Sequence, residues 1–145
     1  VNLKGPFQMT RAAREALATG DGGVIVNVAS IAGIAGAGSS IPYCASKAAL
    51  IVMTKSLART LGPAIRVNAV APGFIEGEWL QKGLGDDYEK AKQNRAAGNI
   101  LNAVSTPEDI ADGILTMATA SKTTGHTLVV DAGDTLGPRI VQGLK

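Results

Sequence analysis

The chain has 145 residues, 46% hydrophobic and 18% charged, which is enough for one domain with a real core and unlike a disordered segment. A net charge of +2 without a run of like charges argues against a nucleic-acid partner, and no apolar run is long enough for a membrane span. The single cysteine, Cys44, excludes an internal disulfide and fits a reducing compartment.

Residues Leu3 to Ala18 predict a helix. Phe7, Met9, Ala12, Ala13, Ala16 and Leu17 give it a broad apolar surface, Pro6 suits its first turn, and Gly20-Asp21-Gly22-Gly23 stops it. Gly23 to Ala29 is apolar almost throughout, the pattern of a strand covered on both faces. Ser30 to Ser40 holds Gly33, Gly36 and Gly38 and reads as a loop, either a flexible connection or a substrate-facing segment. Ser40 then caps a helix that opens near Pro42 and runs to Leu61, before Gly62-Pro63. Its middle is apolar in almost every direction, so one side can cover a sheet while the other needs a partner, most simply a second copy. A homodimer or homotetramer is expected, with this helix and Leu3–Ala18 at the contact.

Ala64 to Ala71 predicts a second buried strand, broken by Pro72-Gly73. Phe74 to Asn102 is more polar and predicts two short helices, near Glu78–Lys82 and Asp86–Ala97. Thr106-Pro107-Glu108-Asp109 is a cap, a first-turn proline and two dipole-complementing acids, and starts a helix that ends near Ala120. His126 to Asp131 predicts a third strand, and the glycine-rich tail after Gly133 is expected to be loosely held. Strands alternating with helices predict a three-layer α/β fold with a parallel sheet.

The chemistry concentrates between Ser30 and Lys47. Tyr43 and Lys47 are four residues apart, so a helix puts them on one face. A free phenol titrates near pH 10, roughly, and a neighbouring cation lowers that value. Such a tyrosine can give or take a proton near neutral pH. Ser30, brought back by the loop, is placed to hydrogen-bond a substrate oxygen.

Ser30, thirteen places before Tyr43-Cys-Ala-Ser-Lys47, resembles the Ser and Y-x-x-x-K of the short-chain dehydrogenase/reductase family. Asn68-Ala-Val-Ala-Pro72-Gly73 resembles the family's N-x-x-x-P-G, and Asn2 sits where the family carries its helix asparagine. The resemblance runs from Asn2 to about Gly133. It implies a Rossmann-like, doubly wound parallel sheet, an NAD or NADP cofactor, and interconversion of an alcohol and a ketone on a small-molecule substrate in the cytoplasm. It assigns proton transfer to Tyr43 and the substrate oxygen to Ser30. Lys47 is assigned both the tyrosine pKa and the nicotinamide ribose, and Asn2 a water that links Lys47 to solvent. Pro72, Gly73 and the backbone near Ile75 would pass the nicotinamide carboxamide. Many members carry a threonine five places after this proline, where this chain has Gly77. Within the family the pattern looks most like bacterial 3-oxoacyl-carrier-protein reductases and related alcohol-dehydrogenase branches.

Other readings compete at each residue. Tyr43 could pack with a satisfied hydroxyl, Ser30 could be a turn residue, and Asn2 could close a helix end. Cys44 reads as a small packing residue, and His126 stands alone with no metal constellation. A non-catalytic binding or scaffold protein that kept the fold has no need of Ser30, Tyr43 and Lys47 together. A serine hydrolase built on Ser30 fails, because no G-x-S-x-G elbow is present.

A dinucleotide-binding fold cradles pyrophosphate in a glycine-rich turn after its first strand. No such strand–turn–helix unit occurs in these residues, since Gly33, Gly36 and Gly38 precede the active-site helix. The expectation is a C-terminal catalytic portion whose sheet lacks its first strands. The 145 residues alone should therefore show no micromolar affinity for NAD(H) or NADP(H). Calorimetry that found such binding would overturn the expectation.

Overall fold

The structure, a computed structural model, describes residues 1–20, 22–138 and 140. In chain order the elements are α1 (Lys4–Ala18), β1 (Gly23–Val28), α2 (Ala32–Ala35), α3 (Ile41–Leu61), β2 (Ile65–Pro72), α4 (Glu78–Leu84), α5 (Tyr88–Gly98), α6 (Pro107–Thr119) and β3 (Thr127–Val130). Short 3-10 turns lie at Gly85–Asp87 and Asp134–Leu136. The strands form one parallel sheet in the order β1-β2-β3.

β2 is the spine because its residues alternate between two covered faces. Ile65 and Val67 pack with Ala58, Leu57 and Leu61 of α3 and Leu17 of α1, while Ala69 and Ala71 meet Ile51 of α3 and Ala29. Val70, on the opposite face, packs with Ile110, Ile114 and Met117 of α6 and with Leu128 and Val130 of β3. Helices on both faces are what a parallel sheet requires. Ile65, Val67 and Val70 are essentially inaccessible, and each contributes about 1.5–3 kcal/mol by leaving water.

Polar residues inside this core are tied to backbone and to one another. Arg66 donates to the carbonyls of Met117, Ala118, Ala120 and Thr123, which satisfies the open C-terminal end of α6. Asn68 is fully buried; its Nδ2 donates to the carbonyls of Met117 and Thr123, and its Oδ1 accepts from the His126 N–H at 3.1 Å. One asparagine thus joins β2, the end of α6 and the start of β3. The Asn27 Nδ2 of β1 donates to Thr54 Oγ1 of α3 at 3.0 Å.

The helix starts follow the expected caps. Ser40 Oγ accepts from the Tyr43 N–H at 3.3 Å, with Pro42 in the first turn. Thr106 and Asp109 form a reciprocal capping box on α6.

Three features differ from the sequence expectations. β1 is half-buried, not covered on both faces, because it is an edge strand of this sheet and Val28 is exposed. The Ser30–Ser40 loop contains the helix α2, closed by Gly36 in the left-handed region at φ 69°. The segment just after Gly133 is held through residue 136: it forms a 3-10 turn, and Asp134 pairs with Arg95 at 3.2 Å. Residue 139 and residues 141–145, in the same tail, lie outside the described residues.

Ala132 carries a positive φ of 55°, where a Cβ is strained. Left-handed backbone costs a non-glycine residue roughly 1–2 kcal/mol, and glycine returns roughly 0.5–1 of it as unfolded-state entropy. Ala132→Gly should therefore stabilise the chain by about 0.5–1 kcal/mol in denaturant unfolding. An unchanged or lower midpoint would show that the strain is relieved elsewhere.

Candidate active site

Parallel strands bring their carboxyl ends to one rim, and three short bonds align them. The Ala29 N–H donates to the Val70 carbonyl at 2.7 Å, that of Ile31 to the Pro72 carbonyl at 3.0 Å, and that of Gly73 to the Val130 carbonyl at 2.9 Å. Ser30 follows β1, Pro72-Gly73 closes β2, and Asp131 follows β3. Ligands of open α/β sheets bind outside such carboxyl ends.

Ser30 is buried, and its Oγ accepts from the Ala32 N–H at 3.1 Å. That bond fixes the rotamer and leaves the hydroxyl hydrogen without an acceptor among the described residues. α3 presents Tyr43, Ser46 and Lys47 at i, i+3 and i+4, one face of the helix. Lys47 Nζ donates to the Val28 carbonyl at 2.7 Å and lies 5.7 Å from the centroid of the Tyr43 ring. That is within cation–π range. Partial burial strips water from the ammonium and holds the Lys47 pKa below its ordinary value. The Tyr43 hydroxyl makes no hydrogen bond among the described residues.

Asn2 is exposed, and its Nδ2 lies 3.4 Å from Ser46 Oγ, which donates to the Tyr43 carbonyl at 2.8 Å. A concavity of about 310 Å³ opens there, lined by Val1, Asn2, Pro42, Tyr43 and Ser46. Asn2 therefore reaches the tyrosine end of the site through Ser46, and makes no hydrogen bond to Lys47. Ser46 is not among the residues that the motifs single out, although its i+3 spacing from Tyr43 puts it on the same face.

Gly73 is required by space: a Cβ there would lie 2.8 Å from the Asp131 Cβ. Ile75 bridges Ser105 through its neighbours, with the Glu76 N–H on the Ser105 carbonyl at 2.9 Å and the Ser105 N–H on the Phe74 carbonyl at 3.0 Å. The N–H and carbonyl of Ile75 itself take no partner among the described residues. A free donor and acceptor side by side suit a planar amide such as the carboxamide of a nicotinamide. No glycine-rich turn that would cradle a dinucleotide's pyrophosphate occurs among the described residues.

A family model described as enoyl-(acyl carrier protein) reductase matches residues 1–135. The short-chain dehydrogenase/reductase homolog YusR of Bacillus subtilis is 39% identical over 134 residues, covering 92% of this chain and 100% of that protein. The 3-oxoacyl-[acyl-carrier-protein] reductase of Thermotoga maritima is 41% identical over 136 residues, 92% of this chain and 54% of that protein. The chain belongs to the short-chain dehydrogenase/reductase family. Among solved structures of similar fold, ElxO with NADP bound superposes with a TM-score of 0.83 at 33% identity, over 93% of this chain and 55% of ElxO. This chain spans about half the length of the Thermotoga maritima reductase and of the similar ketoacyl reductase of Streptomyces violaceoruber and 3-oxoacyl-[acyl-carrier-protein] reductase of Rickettsia bellii.

The segment between β2 and α6 is pinned at both ends. The Phe74 and Tyr88 ring centroids are 6.5 Å apart, and the Gly77 N–H donates to the Tyr88 hydroxyl at 3.3 Å. Lys92 pairs with Glu76, and Arg95 with Asp134, so one face of α5 is fastened to the segments that follow β2 and β3. Gly77 has a φ of 154°, and a Cβ added there would meet nothing within 4 Å. No helix among the described residues is long and apolar enough to cross a membrane.

Asp131 is a further residue of this rim, and no motif in the sequence points to it. Its burial pushes the carboxyl pKa up. That push is outweighed by bonds from the Thr135 N–H and hydroxyl and the Gly133 N–H, so the net value falls below the ordinary 3.8. A depressed carboxyl contributes stability that is present above its unfolded pKa and lost as pH falls through the folded one. Asp131→Asn should cost about 1.5–3 kcal/mol at neutral pH. The gap to the native chain should close below the ordinary carboxylate range in urea unfolding. A gap unchanged with pH would remove the charge from this account.

Proposed function

We propose that the protein carrying this chain is an NAD(P)-dependent oxidoreductase that interconverts an alcohol and a ketone, with Ser30, Tyr43, Lys47 and Asn2 as its site. The observation that carries the reading is Lys47, half-buried on the Val28 carbonyl and beside the Tyr43 ring on one helical face. A scaffold has no use for a desolvated ammonium held against an unpaired phenol. Names of relatives support the substrate class: reductases of 3-oxoacyl groups on acyl-carrier protein recur among them, and NADP is bound in ElxO. A 3-oxoacyl thioester is accordingly the first substrate to test.

Each residue has a task. The Ser30 hydroxyl, its rotamer fixed by Ala32, donates to the carbonyl oxygen and keeps it within reach of Tyr43. The Tyr43 hydroxyl delivers a proton to that oxygen during reduction and removes it during oxidation. Lys47 stabilises the phenolate left behind, and its remaining N–H groups suit ribose hydroxyls. Asn2, through Ser46, closes the solvent side of the tyrosine. Pro72, Gly73 and Ile75 would hold the carboxamide, and the bound nicotinamide supplies or accepts the hydride. The chain acts as one domain, in the cytoplasm. Phe7, Met9 and Val52 are exposed on α1 and α3, a pattern that suits a dimer or tetramer built on these two helices.

Tyr43→Phe in the complete protein should lower kcat by about 10²–10⁴-fold, the usual worth of a positioned proton donor, while cofactor binding stays near native. Lys47→Ala should damage both. Nicotinamide absorbance during turnover of a 3-oxoacyl thioester reads the rate. Native turnover by Tyr43→Phe would refute the mechanism.

A further inference from the structure

Gly33 sits where a side chain has no room. A Cβ at this position would lie 2.5 Å from the Lys47 carbonyl carbon, 2.5 Å from the Ala48 nitrogen and 2.9 Å from the Lys47 carbonyl oxygen. All three are backbone atoms inside a 21-residue helix, so they cannot swing aside as a side-chain tip would. The Gly33 φ lies outside the left-handed region, so space is what this glycine answers to. α2 therefore lies directly on the peptide bond that follows Lys47.

The same four-residue helix holds Ser30. The Ala32 N–H donates to Ser30 Oγ at 3.1 Å, and the Gly33 N–H donates to the Ser30 carbonyl at 3.0 Å. A closed circuit results: Ser30 to α2, α2 through Gly33 to Lys47 of α3, and Lys47 Nζ back to Val28, two residues before Ser30. Gly38 lies close to the circuit as well, since a Cβ there would lie 2.8 Å from the Ala32 Cβ and 3.1 Å from Cys44 Sγ.

We propose that Gly33 is a positioning residue, whose missing side chain sets the spacing between Ser30 and the Tyr43–Lys47 face of α3. The proposal rests on the oxidoreductase reading of that site. The two ends of the circuit differ in stiffness. α3 is long, packs on β2 and is tied to β1 through both Lys47 and Thr54. α2 has a single turn. A Cβ at Gly33 falls roughly 1 Å short of ordinary contact, so α2 yields and carries Ser30 away from the phenol. A misplacement of about 1 Å can cost about 10²-fold in rate.

The test is a double-mutant cycle in the complete protein, reading kcat with a 3-oxoacyl thioester and cofactor Kd by fluorescence. Gly33→Ala should lower kcat by about 10²-fold with cofactor Kd unchanged, because Ser30 and not Lys47 has moved. In a Ser30→Ala background the same substitution should cost almost nothing further. Gly36→Ala is the control: that position is strained, at φ 69°, but has open space around it, so it should lower Tm and leave kcat near native. If Gly33→Ala does not fold, Gly38→Ala, which wedges Ala32 more gently, should show a smaller loss that also vanishes without the Ser30 hydroxyl. A full loss that persists in the Ser30→Ala background, or native kcat in the folded glycine variants, overturns the proposal. Native kcat in Ser30→Ala itself would instead sink the reading of the site, and the proposal with it.

Discussion

The bond from the Lys47 ammonium to the Val28 carbonyl is the contact on which the rest of the site depends. It joins the first turns of α3 to the end of β1, and so sets where the helix meets the rim of the sheet. Two turns further along, Thr54 bonds Asn27 in the core, a second polar tie between the same two elements. Apolar packing alone would let a helix slide by fractions of a turn over a sheet. Two hydrogen bonds to adjacent strand residues hold one register, and that register brings the face that carries Tyr43 and Lys47 to the end of β1.

The placement has an electrostatic consequence. A fully solvated lysine beside a phenol is a weak influence, because water screens the pair. Lys47 is drawn partly out of water, and its charge is answered by one carbonyl dipole. It is therefore a more effective partner for a developing phenolate. The glycine-rich stretch after Ser30 serves the same end by close packing on α3, where the sequence also allowed a mobile loop.

Much of this is legible in the sequence because it is local. The i, i+4 spacing of Tyr43 and Lys47, the Ser40 cap, the Thr106–Asp109 box and the apolar runs of β1 and β2 each depend on neighbours in the chain. What the sequence conceals depends on contacts across it. Asp131 gives no sign of belonging to the rim, since its partners Gly133 and Thr135 resemble any turn, and its approach to Gly73 spans the sheet. Gly33 and Gly36 read alike, yet one is demanded by space and the other by φ. The half-buried state of β1 is hidden because an apolar run cannot tell a central strand from an edge one. Asn2, expected near Lys47, lies on Ser46, one residue earlier on the same helical face.

The central claim is that folding takes the Lys47 ammonium partly out of water and leaves it beside Tyr43. Heteronuclear NMR on protein labelled at the lysine Cε carbon would follow its titration directly, with Lys47→Arg to assign the signal. The account predicts a midpoint below the ordinary lysine value of 10.5. A Lys47 midpoint at or above 10.5 would mean a solvated or carboxylate-paired ammonium, and would contradict the account.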